Sequence, residues 1–352
     1  MKIALLTIWH SVNYGAELQT YASVRTLQEM GHEVKVIDFR LGETFRRCSV
    51  KGLVSYILHS CAPVKIKFHH FWANHIPSTR HFISLEELKS DPPQADLYIV
   101  GSDQVWNPQI TKARASAYFL DFVPAGAVMA SYASSIGTDK WLGDAELTTI
   151  AQQQLVRFKG ISCREQQGCK ILKDTFGVDA ELVLDPSLLH KSYPELTGRI
   201  RPNQTLAYYQ LAESKALMQF AVNKAQDMGL EFVDVNHHSQ LAPTYTWNRR
   251  SVGQWIKAIA EAQFVITHSF HGLVLSLLYH RPFVIIYDSG NKASRLVSLL
   301  QIVGLESRLF FSIDDASRSD VWKENINWQS VDNKIALHRD RSINYLYRIT
   351  TE

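Results

Sequence analysis

Short apolar runs alternate with amphipathic segments along most of this chain. Residues 3–8 form a short apolar run, which is typical of a strand that is buried on both faces. From Ala16 the apolar residues recur at helical spacing as far as Gly31, and residues 33–39 then predict a second strand. A strand, a helix and a second strand in this order predict a βαβ unit and therefore a parallel sheet.

The same alternation continues towards the end of the chain, with two exceptions. Residues 45–90 are irregular and rich in cationic and aromatic side chains, and we expect helices and loop there. Residues 188–204 are rich in proline, glycine and basic residues, which is typical of a linker. Further strands are predicted at 95–100, 128–133, 160–163, 180–184, 205–210, 231–235, 263–267 and 283–287, and helices at 144–158, 165–176, 214–228, 251–262, 270–279, 292–303 and 332–347.

This pattern predicts the fold class. We expect an α/β protein of two Rossmann-like, doubly wound parallel-sheet domains that face each other across a cleft. The N-terminal domain is predicted at residues 1–190 and the C-terminal domain at 203–330. Residues 331–352 are predicted to form a helix that packs back on the N-terminal domain.

Composition narrows the class of protein. Hydrophobic residues make up 46% of the 352 residues, which excludes intrinsic disorder. Lysine and arginine number 37 against 34 acidic residues, so the net charge of +3 gives no reason to expect nucleic acid as a partner. The four cysteines contain no CxxC pair, which argues against a structural zinc site. The N-terminal apolar run is too short for a secretion signal, so we expect a cytoplasmic protein.

Polar side chains follow several of the predicted strands, and ligands bind at the carboxyl ends of strands in open parallel sheets. The first such turn, at residues 9–16, offers backbone N–H groups for an anion at the start of a helix. It lacks GxGxxG, so dinucleotide binding is not indicated. A purely structural alternative is that Asn13 shapes the turn.

A second turn carries a carboxylate directly after a buried strand. Asp103 stands there beside Ser102 and Gln104, a placement that suits general acid or base catalysis. The alternative is that Ser102 or Asp103 caps a helix.

Two turns in the second half carry imidazole and cationic groups. His268 and His271 follow the strand at 263–267 and can line one wall of a pocket, whereas no third ligand is spaced to complete a zinc site. Lys292 and Arg295 follow the strand at 283–287 and are spaced to converge on a phosphate or carboxylate. The alternative for this last pair is two solvated charges on a helix.

Five short motifs in this order resemble the polysaccharide pyruvyl transferase family, over residues 1–310. They are NYGAELQ (13–19), GSDQVWN (101–107), SYASSIG (131–137), SCRE (162–165) with DPSLL (185–189), and SFHG (269–272). The resemblance implies a GT-B-like fold. It also implies transfer of pyruvate from phosphoenolpyruvate to a sugar of a cell-surface polysaccharide or its lipid-linked precursor. The product is a pyruvate ketal and phosphate is released, with no metal and no cofactor beyond phosphoenolpyruvate as co-substrate.

The resemblance also implies roles for particular residues. His271 matches the histidine of the family's Arg-x-His motif, whose arginine is replaced here by Ser269. The donor's negative charge then has to be met by other residues of the C-terminal, donor side or by Arg164. The resulting assignment is catalytic Asp103 and His271; donor-binding His268, Ser269, Lys292, Arg295 and Arg164; and acceptor-binding Asn13, Tyr14, Gln104 and Trp106, on the N-terminal, acceptor side.

Two other functions fit the same architecture. One is a glycosyltransferase that uses a nucleotide sugar, and the other is a non-catalytic homologue that binds glycans or assists assembly. A peripheral membrane contact is predicted from Arg46, Arg47, Lys65 and Lys67, because cationic and aromatic residues mix in residues 46–72. The alternative there is an ordinary solvated pair of helices. The oligomeric state is not predicted.

Overall fold

The chain divides into two units, each with its own parallel sheet. The computed structural model describes residues 1–41, 63–212, 214–236, 250–287 and 293–351. Unit 1 comprises Met1–Arg47, Trp72–Leu189 and Ala336–Glu352, and unit 2 comprises Cys48–Phe71 and His190–Ile335.

The sheet of unit 1 has five parallel strands in the order β3-β2-β1-β4-β5. The central strands are apolar and buried because helices cover both faces of the sheet. A second, two-stranded parallel sheet pairs β6 with β7. The strands are β1 (Lys2–Leu6), β2 (Glu33–Phe39), β3 (Ser78–Phe82), β4 (Leu97–Val100), β5 (Val128–Ser131), β6 (Ser162–Cys163) and β7 (Glu181–Leu182).

The helices of the first half connect these strands. The longest of them begins where Asn13 caps its N-terminus, with Oδ1 accepting from the backbone N–H of Gly15 at 3.0 Å. Asn13 therefore does shape the turn after β1. The helices are α1 (Tyr14–Glu29), α2 (Pro63–His75), α3 (Leu85–Ser90), α4 (Pro108–Thr111), α5 (Ala145–Leu155) and α6 (Gln166–Phe176).

The sheet of unit 2 also has five parallel strands, in the order β12-β11-β10-β8-β9. Its strands are β8 (Thr205–Tyr209), β9 (Glu231–Asp234), β10 (Phe264–Thr267), β11 (Phe283–Ile286) and β12 (Leu309–Phe310). Its helices are α7 (Pro194–Thr197), α8 (Lys215–Asp227), α9 (Val252–Glu261), α10 (Phe270–Leu278), α11 (Ser294–Val303) and α12 (Ile313–Arg318).

The last helix, α13 (Trp328–Thr351), contributes its residues from Ala336 onwards to unit 1. Within that unit the Ser342 hydroxyl accepts from the backbone N–H of Leu184 at 2.9 Å, and the Tyr345 hydroxyl donates to the Ser131 carbonyl at 2.7 Å. Unit 1 is therefore built from both ends of the chain.

The predicted α/β class with two parallel sheets is confirmed. Two local features differ from the prediction. The strand β3 forms in the segment that was expected to hold helices and loop, and α7 forms inside the expected linker, whereas the helix α3 agrees with the expectation. The unit boundary falls between Leu189 and His190. The predictions that rest on Arg46, Arg47 and Lys292 lie outside the described residues.

Candidate functional site

Each sheet has one point at which the strand order reverses direction, and open α/β sheets bind ligands there. In unit 1 this point lies between β1 and β4, and in unit 2 between β8 and β10. The predicted turns at residues 9–16 and 101–108 follow β1 and β4, and the turn that carries His268 follows β10. The structure therefore places three of the predicted turns at the reversal points.

At the reversal point of unit 1 a buried guanidinium is surrounded by acidic side chains. The side chain of Arg164 has no exposed surface and donates to Asp185 Oδ2 at 2.6 Å and to Asp103 Oδ1 at 3.2 Å. Its Nη1 lies 3.3 Å from the Ser102 hydroxyl, and its Nε lies 4.0 Å from Glu165 Oε2. We call these five residues the Arg164 cluster. The cluster connects the loops that follow the carboxyl ends of β4, β6 and β7.

The cluster contains one guanidinium and three acidic side chains. Burial by itself lowers the pKa of the Arg164 guanidinium, but the charges of Asp185, Asp103 and Glu165 outweigh that effect and raise the pKa overall. Arg164 therefore stays charged and holds three loops together. Its predicted role as a donor ligand remains a prediction.

Glu165 extends the cluster to the loop after β5. One of its carboxylate oxygens accepts from the Ser135 hydroxyl at 2.9 Å and from the backbone N–H groups of Ile136 at 2.9 Å and Gly137 at 3.2 Å. Such convergence of donors on one buried oxygen compensates its desolvation. The motifs SYASSIG and SCRE are thus parts of one hydrogen-bonded structure.

Asp103 is the member of the cluster that reaches the surface. Its side chain is 15% exposed, whereas those of Arg164 and Asp185 have no exposure. Its backbone has φ of 70°, in the left-handed region, and its Oδ1 accepts from the N–H of Gln104 at 2.8 Å. A non-glycine residue held in this conformation at a ligand-binding edge is typical of functional sites. Asp103 does not cap a regular helix, because α4 begins after Asn107.

A second carboxyl, that of Glu17, lies near Asp103 and was not singled out from the sequence as a site residue. Its side chain is fully buried in the first turn of α1, and Oε1 accepts from the N–H of Ser11 at 2.9 Å. Burial raises the pKa of Glu17 to about 8, hydrogen bonds from Ser11 and Trp72 oppose the shift, and the charge of Asp103 adds to it. Glu17 is therefore mostly protonated at pH 7. An acidic residue inside the otherwise apolar start of α1 is the sequence signal for it.

The predicted acceptor-binding residues differ in exposure. Asn13 is exposed and Gln104 is half-buried, with its side-chain oxygen accepting from Asn107 at 3.0 Å. Tyr14 and Trp106 are 2% and 1% exposed. The Trp106 indole donates to the Tyr118 carbonyl at 2.9 Å, so its contacts are those of a core residue. Binding of an acceptor by these four residues stays a prediction.

The reversal point of unit 2 is organised by Thr267, the last residue of β10. Its hydroxyl donates to the Tyr209 carbonyl at 2.6 Å and accepts from the N–H of Ser269 at 3.0 Å. A Cβ at Gly272 would lie 2.4 Å from the same hydroxyl, so glycine lets α10 approach the strand. The N-terminus of α10 is thereby fixed at the edge of the sheet.

The imidazole of His268 bridges this reversal point. The backbone N–H of Leu211, after β8, donates to His268 Nε2 at 3.0 Å. A nitrogen that accepts a hydrogen bond carries no proton, so the ring is neutral and its proton is on Nδ1. His268 is thus a hydrogen-bond donor through Nδ1 and supplies no positive charge in this arrangement.

The remaining predicted residues of unit 2 surround the start of α10 and α11. Ser269 is the N-cap residue of α10, and His271 lies in the first turn, 7% exposed. Arg295 is half-buried in the first turn of α11. The structure thus brings His268, Ser269 and His271 together on one turn, and their roles towards a donor stay predictions.

Unit 2 has a separate open cavity of ≈ 460 Å³ with mixed charge. Lys67, Arg250 and Lys257 line it together with Glu261. Asn203 and Thr205, at the start of β8, also line it, and none of the predicted site residues does. It is therefore distinct from the reversal point at the other end of β8.

The described residues contain neither a cluster of metal ligands nor a membrane-spanning helix. No group of three or more His, Cys, Asp or Glu side chains there is arranged to hold a metal ion. No helix in the described part of the chain is long and apolar enough to cross a membrane.

A family model described as polysaccharide pyruvyl transferase matches residues 13–290, which is more than three quarters of the 352 residues. No curated protein matches the chain. Its backbone resembles the S. aureus MnaA–UDP structure, with 11% identity, a TM-score of 0.52 and coverage of 99% of this chain and 96% of the other. A protein assigned as a UDP-N-acetylglucosamine 2-epimerase from Listeria monocytogenes gives 11% identity, a TM-score of 0.50 and coverage of 99% and 96%. At these identities the likeness shows the fold, which confirms the predicted GT-B-like class.

Proposed function

Because the chain belongs to the polysaccharide pyruvyl transferase family, we propose that it moves pyruvate from phosphoenolpyruvate to a sugar of a surface polysaccharide or its lipid-linked precursor. The observation that carries the proposal is the match over residues 13–290, which includes the reversal points of both sheets. The family is one of transferases, and the donor and acceptor are the proposed part.

The proposed chemistry needs one acid, one base and groups that fix the donor. A proton adds to C3 of the enol, and a sugar hydroxyl attacks C2 and loses its proton. The C2–O bond to phosphate then breaks, and a second hydroxyl attacks C2 and loses its proton. The products are one cyclic ketal and one inorganic phosphate. Two hydroxyl protons are lost, one proton is gained at C3 and the other passes to phosphate or solvent, so the reaction involves no net redox change.

In unit 1 we assign proton transfer to Asp103. The carboxylate is the exposed member of the Arg164 cluster and is oriented by Arg164 and by the backbone of Gln104. A positioned carboxylate that accepts a hydroxyl proton contributes about 10²–10⁴ in rate. The surplus of acidic groups in this cluster suits sugar hydroxyls better than an anionic donor, which supports the acceptor side for unit 1.

In unit 2 we assign donor binding to the turn between β10 and α10. The start of a helix carries partial positive charge and attracts phosphate and carboxylate groups. Ser269 and the Nδ1–H of neutral His268 add hydrogen-bond donors, and His271 lies in the same turn. This arrangement supports a donor held by hydrogen bonds although the family's arginine is absent at Ser269.

The test is a phosphate-release assay with phosphoenolpyruvate and a panel of lipid-linked and aryl glycoside acceptors. We expect acceptor-dependent phosphate and a matching mass gain of the acceptor. Asp103→Asn should lower kcat by about 10²-fold or more, while the exposed Asp174→Asn should not change it. Phosphate release that no acceptor stimulates, or an unchanged rate in Asp103→Asn, would contradict the proposal.

One observation favours the glycosyltransferase alternative. The fold resembles that of a protein whose structure contains UDP. Thermal stabilisation by UDP-sugars, without stabilisation by phosphoenolpyruvate, would select it. A non-catalytic homologue would be stabilised by glycans alone and would release no phosphate.

A further inference from the structure

Two thiols meet beneath the first turns of α6. Cys163 is the last residue of β6 and is fully buried, and Cys169 lies in α6 and is partly exposed. Cys169 packs against the buried cluster that contains Cys163, and each thiol influences the pKa of the other. Neither thiol takes part in the proposed chemistry.

Glycine makes this approach possible. A Cβ at Gly168 would lie 3.3 Å from Cys163 Sγ, so a larger residue would crowd the thiol under the helix. The backbone N–H of Cys169 donates to the carbonyl of the N-cap residue Glu165 at 3.3 Å, so Cys169 lies in the first turn of α6. A disulfide needs two such neighbouring thiols whose Cα atoms lie about 4.4–6.8 Å apart.

The two thiols differ in pKa and in exposure, and both differences favour oxidation of Cys169 before Cys163. The interaction with Cys163 lowers the pKa of Cys169. Burial raises the pKa of Cys163. Cys169 is also the more exposed of the two, so it is the thiol that meets an oxidant first.

We propose that Cys163 and Cys169 form a reversible disulfide when a hydroperoxide oxidises Cys169. The Cys169 thiolate attacks the O–O bond, which gives Cys169 sulfenic acid and an alcohol, or water from hydrogen peroxide. The Cys163 thiol then attacks that sulfur, and the S–OH bond breaks with release of water. Two thiols and one peroxide thus give one disulfide, one alcohol and one water.

The modification acts on the Arg164 cluster, because Arg164 and Glu165 lie between the two cysteines. The disulfide ties the end of β6 to α6 and so constrains the turn that carries both residues. This inference stands apart from the proposed function, since its readout is the thiols themselves.

The sequence provides a direct assay. Trypsin cleaves after Lys159, Arg164 and Lys170, so the two cysteines fall in separate peptides, 160–164 and 165–170. The protein is treated with hydrogen peroxide, quenched in acid, alkylated and digested without reductant. We expect the two peptides to be joined by a disulfide, and dithiothreitol to separate them. In the native reduced protein, Cys169 should react with a maleimide about tenfold faster than Cys163.

Two variants control the assay. Cys169→Ser should abolish the linked peptides and leave Cys163 reduced, and Cys163→Ala should stop Cys169 at the sulfenic acid or carry it to higher oxides. The same digest of a Cys48→Ser, Cys61→Ser chain excludes exchange with the other two cysteines. Peptides that stay separate at every peroxide concentration, with Cys169 unmodified or overoxidised, would overturn the proposal. Cys163 or Cys169 linked to another cysteine instead would also overturn it.

Discussion

The two reversal points use opposite means to fix their loops. In unit 1 a buried guanidinium is paired with Asp185 and Asp103, and its site has a surplus of carboxyl groups. In unit 2 a threonine hydroxyl and a neutral histidine fix the loops through hydrogen bonds to the backbone. Removing one partner of a buried ion pair costs about 3–5 kcal/mol of stability, whereas a neutral hydrogen bond contributes about 1 kcal/mol. The comparison predicts that the same kind of substitution has unequal effects in the two units.

The largest effect is expected for Arg164→Met. The change leaves Asp185 and Asp103 without their partner in a buried site, which costs about 3–5 kcal/mol. Hydrogen exchange should show lost protection in peptides of unit 1 and much less change in peptides of unit 2. The control is Arg348→Met, because Arg348 pairs with Glu181 on the surface and such pairs contribute about 0–1 kcal/mol. Equal losses in the two variants would show that the cluster is not the main constraint on unit 1.

Glu17→Gln tests the second buried carboxyl through pH. Folding raises the pKa of Glu17 from 4.5 to about 8, so the folded state binds more protons than the unfolded state between those values. The contribution of Glu17 to stability is therefore full below pH 4.5 and falls as the pH rises towards 8. The free energy of unfolding of the variant, relative to that of the wild type, should therefore rise by about 3 kcal/mol between pH 4.5 and pH 7.

The measurement for Glu17 is urea unfolding at a series of pH values. The exposed Glu29→Gln serves as the control, and its difference from the wild type should stay nearly constant. A constant difference for Glu17→Gln as well would mean that Glu17 is ionised in the folded protein.

The smallest effect is expected for Thr267→Val in unit 2. The isosteric change leaves the Tyr209 carbonyl and the Ser269 N–H without the hydroxyl, which costs about 1–3 kcal/mol. Thr149→Val is the control, because the exposed Thr149 hydroxyl bonds only to a helix carbonyl, and it should change stability by about 0.5 kcal/mol or less. Thermal unfolding measures both. A loss of stability in Thr267→Val as large as that in Arg164→Met would show that the two units do not differ in this respect.

The sequence predicts the regular parts of the fold because its buried strands and amphipathic helices have clear periods. The strand β3 cannot be predicted in this way, because Ser78–Phe82 is an edge strand in which only Phe82 is buried, so it has no apolar pattern. By contrast, β6 and β7 lie within the strands predicted at 160–163 and 180–184, although each has only two residues. Short edge strands form because a neighbouring strand pairs with them, and their own residues give little sign of it.

The candidate site is predictable in its location and less so in its chemistry. The turns after β4 and β10 are recognisable because polar residues follow apolar runs. The protonated state of Glu17 results from its burial, and the neutral state of His268 depends on the backbone N–H of Leu211. Burial and a partner 57 residues away are both set by the tertiary structure, so no local pattern reveals either state.

The composition of unit 1 from distant segments has a consequence for how the protein is made. Its sheet is synthesised before that of unit 2, but Ser342 and Tyr345, which bond to the segment after β7 and to β5 respectively, are synthesised after every strand of unit 2. Nascent chains acquire structure in the order of synthesis. The first unit to begin folding is therefore the last to be finished, and an expressed fragment of residues 1–190 would lack part of its own framework.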